Sequence, residues 1–209
     1  MKISKNYSLS EKTLEKDIDK FIRDAKKGVY QYDYKYGQEG LKLIKAYFRM
    51  IEEEFKKQNF QVVRACYKRL LFFLLQRDYE YFNYEDIMSK FNSEKIVGFY
   101  FTSLVKTCSV DELFKEYLDY LKIKEDSYFK SADEIMLNEL SSEDKLKFVR
   151  LVEKESENIK ENDYAMHDLI YFQLDLAKEV KDRKKYDLLC EKFMKIVGSE
   201  QKEEFDSEE

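Results

Sequence analysis

The most continuous apolar pattern in the chain runs from Phe60 to Leu75, with the sequence FQVVRACYKRLLFFLL. Its polar positions Gln61, Arg64 and Lys68 are spaced by three and four residues, so they form one narrow stripe of a helix. The rest of the circumference is apolar, and a helix of that kind is covered on several sides. A bilayer span needs about 20 apolar residues, so this stretch is too short to cross a membrane. The pattern therefore predicts the central helix of an all-α protein.

A sharply amphipathic pattern precedes this stretch, from Gln38 to Gln58, and Asn59 interrupts the period between the two. Its apolar face carries Leu41, Ile44, Phe48, Ile51 and Phe55, and its opposite face carries Lys42, Lys45, Arg49 and Lys56. Two helices joined by so short a break pack antiparallel. We therefore expect a helical hairpin over residues 38–75.

The remaining helices are predicted from capping residues and from the return of the helical period. Helix starts are indicated at Ser8 with Glu11, Asn83, Ser93, Ser109 with Glu112, Ser131 with Glu134, Ser141 or Ser142, Asp163 and Lys184. Helix ends are indicated at Gly28, Phe91, Leu140, Val180 and Gly198. The expected fold is an irregular array of antiparallel helical hairpins, either an α-α superhelix or a large bundle, with about 8–10 helices.

Composition supports an all-α chain and indicates one domain. The 209 residues include no proline and five glycines, and helices with short connections tolerate that scarcity of turn residues. No stretch has the composition of a linker, so we predict a single α-helical domain over residues 8–198. Residues 199–209 are strongly acidic and are expected to form a disordered, solvating tail.

Charge and cysteine content favour a reduced, cytoplasmic protein. The net charge is −5, with both signs mixed along the chain, which gives no overall attraction to nucleic acid or to a membrane surface. No N-terminal apolar segment has the pattern of a signal peptide. Cys66, Cys108 and Cys190 are isolated and odd in number, which is typical of reduced thiols and not of a zinc site.

No residue pattern indicates catalysis or a cofactor. His167 is the only histidine, and Tyr164 occupies the position that a Glu-x-x-His metal pair would need. Glu116 and Asp119 lie one helical turn apart, but no matching carboxylate pair lies on another predicted helix. The glycines do not form a phosphate-binding loop. We therefore predict no catalytic residue, no metal and no cofactor, and a protein that is not an enzyme.

Two surface features remain as candidate binding sites. The first is a basic stripe on the predicted hairpin, where residues 41–77 hold nine basic and three acidic residues, a local charge of +6. Its candidate residues are Lys42, Lys45, Arg49, Lys56, Arg64 and Lys68. The second is a set of aromatic residues in predicted connectors, among them Tyr30, Tyr32, Tyr34, Tyr36 and Phe82. An ordinary solvated face and tyrosines that cover hairpin ends are the alternatives for these features.

The order of elements also resembles a known family. The order is an amphipathic helix, a short break, an apolar helix, a polar connector and a further helix, and then Ser109-Val-Asp-Glu-Leu-Phe-Lys-Glu-Tyr-Leu118. Over residues 17–152 this is similar to the helical region found C-terminal to SWIM-type zinc fingers in bacterial proteins, and in related stand-alone proteins. The connector, residues 78–86, lacks the family's glycine, and neither Cys-x-Cys nor Cys-x-His is present, so the zinc finger itself is absent. The resemblance implies a helical array that contacts other macromolecules and implies no catalytic residue.

Three functional hypotheses follow from these observations. The first is a non-enzymatic helical scaffold or adaptor that binds another protein or a second copy of itself, with no role for a membrane. The second is a nucleic-acid-associated accessory protein that uses the basic hairpin 41–77. The third is a metal-dependent enzyme that uses carboxylates alone.

Overall fold

The computed structural model describes residues 13–31, 38–76, 79–82, 87–124 and 129–198, and these residues contain helices and no strand. The helices are α1 Thr13–Lys26, α2 Glu39–Lys56, α3 Phe60–Leu75, α4 Tyr79–Phe82, α5 Ser93–Thr107, α6 Val110–Lys124, α7 Lys130–Glu139, α8 Ser142–Ser156, α9 Asp168–Glu179, α10 Arg183–Lys192 and α11 Met194–Val197. Short 3₁₀ helices cover Met88–Lys90 and Tyr164–Met166. The predicted all-α class and helical array are confirmed.

The chain divides into two compact units. The first consists of Met1–Cys108 with Tyr128–Ile135, and the second of Ser109–Ser127 with Met136–Glu209. The single domain predicted for residues 8–198 stays a prediction. In the described part of the chain, none of the helices has both the length and the apolar character that a membrane crossing needs.

Helix α3 is the centre of the first unit, as its pattern predicted. It packs against α1, α2 and α5, and its bounds coincide with the predicted apolar stretch. Val63, Cys66, Leu70 and Leu71 are completely buried. A helix covered by three others can be apolar on most of its circumference without exposing that surface to water.

The predicted hairpin forms through a three-residue turn between α2 and α3. Gln58 adopts a positive φ of 62° in this turn. The carboxylate of Glu54, which is 1% exposed, accepts hydrogen bonds from Lys57 Nζ at 2.8 Å and from Asn59 Nδ2 at 2.6 Å. A buried carboxylate is tolerated here because side chains on both sides of the turn satisfy it.

Aromatic rings fill the space between α1, α2 and α4, and two of them belong to residues that were expected to lie outside the core. Tyr30 and Phe82 were expected on connectors outside the core, but they are only 4% and 5% exposed. Both rings pack on Phe21, with centroids 5.2 and 5.9 Å from its own. A Cβ at Gly40 would lie 3.1–3.2 Å from side-chain atoms of Phe82 and Tyr30, so a larger residue there would push these side chains a few tenths of an ångström away. The connectors therefore contribute part of the core.

The second unit is built from α6, α8, α9 and α10. The rings of Phe114, Tyr117 and Phe172 surround Phe148, with centroid distances of 5.7–5.8 Å. Buried Gln173 on α9 donates to Ser156 Oγ on α8 at 2.7 Å, which gives this polar side chain a partner inside the core. A second apolar cluster joins α9 to α10 and α11.

Two helix starts carry the caps that the sequence predicted. Ser109 and Glu112 form the expected capping box, with Glu112 Oε2 accepting from Ser109 N at 3.0 Å. Ser141 accepts from Asp144 N and caps α8. The capping box predicted for Ser8 and Glu11 lies outside the described residues.

Other helix starts differ from the sequence interpretation. Asn92 caps α5 by accepting from Lys95 N at 3.1 Å, whereas the expected cap, Ser93, donates to Met88 O. Helix α7 begins at Lys130, and the carboxylate of Glu94 accepts from its first amides, so the expected pair Ser131 and Glu134 does not form its cap. A carboxylate distant in sequence replaces the local cap.

Three further boundaries also differ from the expected ones. The helix predicted from Asp163 begins at Asp168, after the 3₁₀ turn. The last predicted helix is interrupted at Phe193, between α10 and α11. For the helix predicted over residues 83–91, the described part holds only the 3₁₀ turn Met88–Lys90.

Cys66 should be unreactive in the folded protein. Burial, and to a smaller extent the neighbouring Glu15, raises the pKa of its thiol to about 12. At about pH 8 we expect thiol reagents to label half-buried Cys108 first, and Cys66 only after unfolding. Because the raised pKa favours the protonated form, the associated stability is present below about pH 9 and is lost as the pH rises towards 12. Timed labelling with mass spectrometry measures this, and rapid labelling of Cys66 in folded protein would contradict it.

Candidate interaction surfaces

Several cations of the predicted basic hairpin are paired with the chain's own carboxylates. Lys42 lies 3.4 Å from Glu39, and Lys56 lies 3.3 Å from Glu52 and 3.0 Å from Glu53. On α3, Arg69 pairs with Glu15 at 3.0 Å and with Asp19 at 3.1 Å, both on α1. The local charge of +6 counted along the sequence therefore overstates the charge offered to a partner.

The other members of the stripe differ in exposure. Arg64 and Lys68 are half-buried and engaged by other groups of the chain, and Lys68 Nζ lies 5.6 Å from the centre of the Phe72 ring. Lys45 and Arg49 are exposed, and within the described ranges neither has an ion-pair partner. Tyr32, Tyr34 and Tyr36 lie outside the described residues. Among the described residues of the stripe, Lys45 and Arg49 are therefore the ones whose charge stays available to a partner. They lie one helical turn apart on α2.

Three partly exposed phenylalanines meet where α2, α3 and α5 approach one another, and we call them the phenylalanine patch. They are Phe55, Phe60 and Phe99. The rings of Phe55 and Phe99 stack with centroids 4.0 Å apart, and Phe60 meets Phe55 edge-on at 5.5 Å. The short turn brings Phe55 and Phe60 together, and α5 adds the third ring. This geometry places a small aromatic surface on rigid helices.

Charged side chains of both signs border the phenylalanine patch. Lys95 Nζ lies 3.0 Å from Glu52 Oε1 and 5.3 Å from the centre of the Phe99 ring. Glu52 also pairs with Lys56. The hydrogen bond from Lys95 is the largest cause that lowers the pKa of Glu52, and Lys56 acts in the same direction. The patch therefore has an aromatic centre and a rim that carries both positive and negative charges.

Helix α1 carries a surface that the sequence interpretation missed, and we call it the α1 basic face. Between Thr13 and Lys27 the exposed residues are Lys16, Lys20, Arg23, Lys26 and Lys27. The acidic residues of the same stretch, Glu15, Asp17, Asp19 and Asp24, are buried or half-buried. The sequence does contain a sign of this face, because basic residues recur at helical spacing at positions 16, 20, 23 and 27. Acidic residues lie between them, so the net charge of the stretch does not reveal it.

The residues considered for metal or acid–base chemistry do not assemble into a site. His167 Nε2 lies 3.4 Å from Lys160 O, and its ring contacts that of exposed Tyr164 edge-on. Glu116 is buried and Asp119 half-buried, and both are engaged by other groups of the chain. In the described ranges, no three His, Cys, Asp or Glu side chains gather closely enough to hold a metal ion.

Comparisons with known proteins return no relative. No family model, no curated protein and no solved structure matches the chain significantly. The resemblance to the helical region associated with SWIM-type zinc fingers therefore stays a prediction.

Proposed function

We propose that this protein is a non-enzymatic helical scaffold or adaptor that binds a partner protein through the phenylalanine patch. The observation that carries the proposal is the partly exposed cluster of Phe55, Phe60 and Phe99 at the junction of three helices. The partner it fits has an apolar side chain at the centre of its contact surface and charges of both signs around it.

The patch has the composition of the centre of a protein–protein interface. Aromatic residues are enriched in such centres and provide most of the binding energy, whereas charged residues lie at the rim. Stacking between Phe55 and Phe99 limits the motion of both rings, so little conformational entropy remains to be lost on binding. Lys95, Glu52 and Lys56 would orient a partner more than they would strengthen its binding.

The same rim disfavours nucleic acid at this patch. Glu52 and Glu53 lie beside Lys56, and carboxylates repel a phosphate backbone. The second hypothesis is that nucleic acid binds to the hairpin 41–77. The exposed side chains of Lys45 and Arg49 still support it. Binding at that surface would weaken steeply with salt, and charge reversal at both residues would abolish it.

The patch can be tested by crosslinking in cells of the native host. We expect a photoreactive phenylalanine analogue at position 60 to crosslink one protein, and the same analogue at exposed position 188 not to crosslink it. Affinity of the purified partner should then fall at least about tenfold in Phe60→Ala and in Phe99→Ala, because each substitution removes an aromatic anchor.

Leu188→Ala is the matched control, because it removes an exposed apolar side chain outside the patch. It should leave the affinity unchanged, and circular dichroism should show all three variants folded. Equal affinity of wild type and both phenylalanine variants for the crosslinked protein would contradict the proposal. Light scattering would show whether that partner is a second copy of the chain.

A further inference from the structure

We propose that the α1 basic face binds the phosphate backbone of a nucleic-acid duplex. This surface is separate from the phenylalanine patch, and the proposal does not depend on the partner bound there. In the part of the chain that the structure describes, none of Lys16, Lys20, Arg23, Lys26 and Lys27 forms an ion pair. Lys26 is exposed, and its Nζ lies 6.0 Å from the centre of the Phe73 ring.

The fold separates the charges of α1 into two sides. On the inner side, Glu15 and Asp19 pair with Arg69 of α3. Burial raises the pKa of Tyr47, and the nearby carboxylates of Asp17 and Asp24 add to that rise, so these two groups also lie towards α2. Acidic side chains are thus directed to the interior contacts while basic ones occupy the outer face. A helix of nearly balanced charge thereby presents an outer surface that is mainly positive, with the partly exposed carboxylate of Asp19 at its edge.

The spacing of the cations suits a polyanion. Positions 16, 20 and 23 follow one side of α1, and position 27 continues this spacing in the turn just after the helix, over about 16 Å in total at about 1.5 Å per residue. A nucleic-acid duplex carries one negative charge for about every 1.7 Å of its axis, so several phosphates lie within reach of this stripe. Lysine and arginine are the side chains that contact such a backbone without reading its sequence.

The α1 basic face lacks what a protein partner or a membrane would need. Its exposed positions carry no apolar or aromatic side chain, and lysine is depleted at the centres of protein interfaces. The apolar side of α1 is in the core, where Ile18, Phe21 and Ala25 are completely buried, so it cannot insert into a bilayer.

A duplex fits this face better than a single strand does. Proteins that bind single strands stack bases on exposed aromatic rings. Phe21, the one aromatic residue between Thr13 and Lys27, is completely buried. The helix is also held rigidly, because Arg69 bridges to two of its residues and Tyr47 Oη donates to Asp17 O at 3.2 Å. Rigid, regularly spaced cations match the regular backbone of a duplex.

The test measures binding of the full chain to a fluorescent DNA duplex of about 20 base pairs, by anisotropy at several salt concentrations. We expect the logarithm of the binding constant to fall linearly with the logarithm of salt, with a slope of about −4. Lys20→Gln with Arg23→Gln should reduce that slope by about two and weaken binding about tenfold at low salt.

The matched control is Arg150→Gln with Lys154→Gln, which neutralises one arginine and one lysine, both exposed on α8. It should leave both the affinity and the slope unchanged. Circular dichroism establishes that every variant is folded.

Four results would overturn the proposal. They are absence of duplex binding at about 50 mM salt, an unchanged slope in the Lys20 and Arg23 variant, tighter binding of a single strand of equal length, and displacement of the duplex by polyglutamate at equal charge. The third result would assign the face to single strands, and the fourth to an acidic protein. None of them depends on the phenylalanine patch, so the two proposals can fail independently.

Discussion

Leu70→Ala should lower the free energy of unfolding by about 3–4 kcal/mol. Leu70 is completely buried on α3, the helix that contacts α1, α2 and α5. The substitution removes buried methyl groups, and the surrounding helices cannot close fully around the cavity. Urea unfolding followed by circular dichroism measures the change.

Leu188→Ala provides the comparison, because the same atoms are removed from a leucine that is 64% exposed. It should change the free energy of unfolding by less than about 0.5 kcal/mol. If the two substitutions had similar effects, α3 could not be the centre of the first unit's core.

Lys124→Met should destabilise the second unit by about 3 kcal/mol. Lys124 is 4% exposed on α6, and its ammonium forms an ion pair with the carboxylate of Asp168, the first residue of α9. The substitution preserves most of the side-chain volume but removes the cation that pairs with the Asp168 carboxylate. The Asp168 side chain is only 20% exposed, so water cannot fully replace that cation. Loss of one partner of a buried pair costs more than the pair contributes, because the remaining charge is poorly solvated.

Two further variants separate this charge effect from a general effect of substitution. Lys122→Met changes an exposed lysine on the same helix and should be nearly neutral. Adding Asp168→Asn to Lys124→Met should recover part of the lost stability, because the isolated charge is removed. A double variant as unstable as Lys124→Met alone would show that the ion pair is not the cause.

The helices could be predicted where the determining residues are close in sequence. The apolar circumference of residues 60–75 predicted both bounds of α3, and Ser109 with Glu112 predicted the start of α6. The start of α7 could not be predicted in this way, because its cap is the carboxylate of Glu94, 36 residues away. Tyr30 and Phe82 were missed for the same reason, since the fold buries them against Phe21.

The candidate surfaces were harder to predict than the fold. Counting charges along residues 41–77 identified a basic stripe, but the count does not show which cations are paired. Lys56 pairs with carboxylates three and four residues before it on the same helix, whereas Arg69 pairs with Glu15 and Asp19, which only the fold brings near. The α1 basic face was missed because its four acidic residues balance the count, and only burial separates the signs. The phenylalanine patch was missed because Phe55 and Phe60 belong to helices interpreted as core, and Phe99 joins them from α5.

The position of α3 in the chain has a consequence for its synthesis. Helices α1 and α2 precede α3, so they can cover two of its sides as soon as it leaves the ribosome. The third side is covered by α5, where Tyr100 packs edge-on against Phe72, and α5 begins 18 residues after α3 ends. Until those residues are translated, one apolar side of α3 faces water, and such surfaces promote aggregation of nascent chains. The connector before α5 therefore determines how long the growing chain needs protection from aggregation.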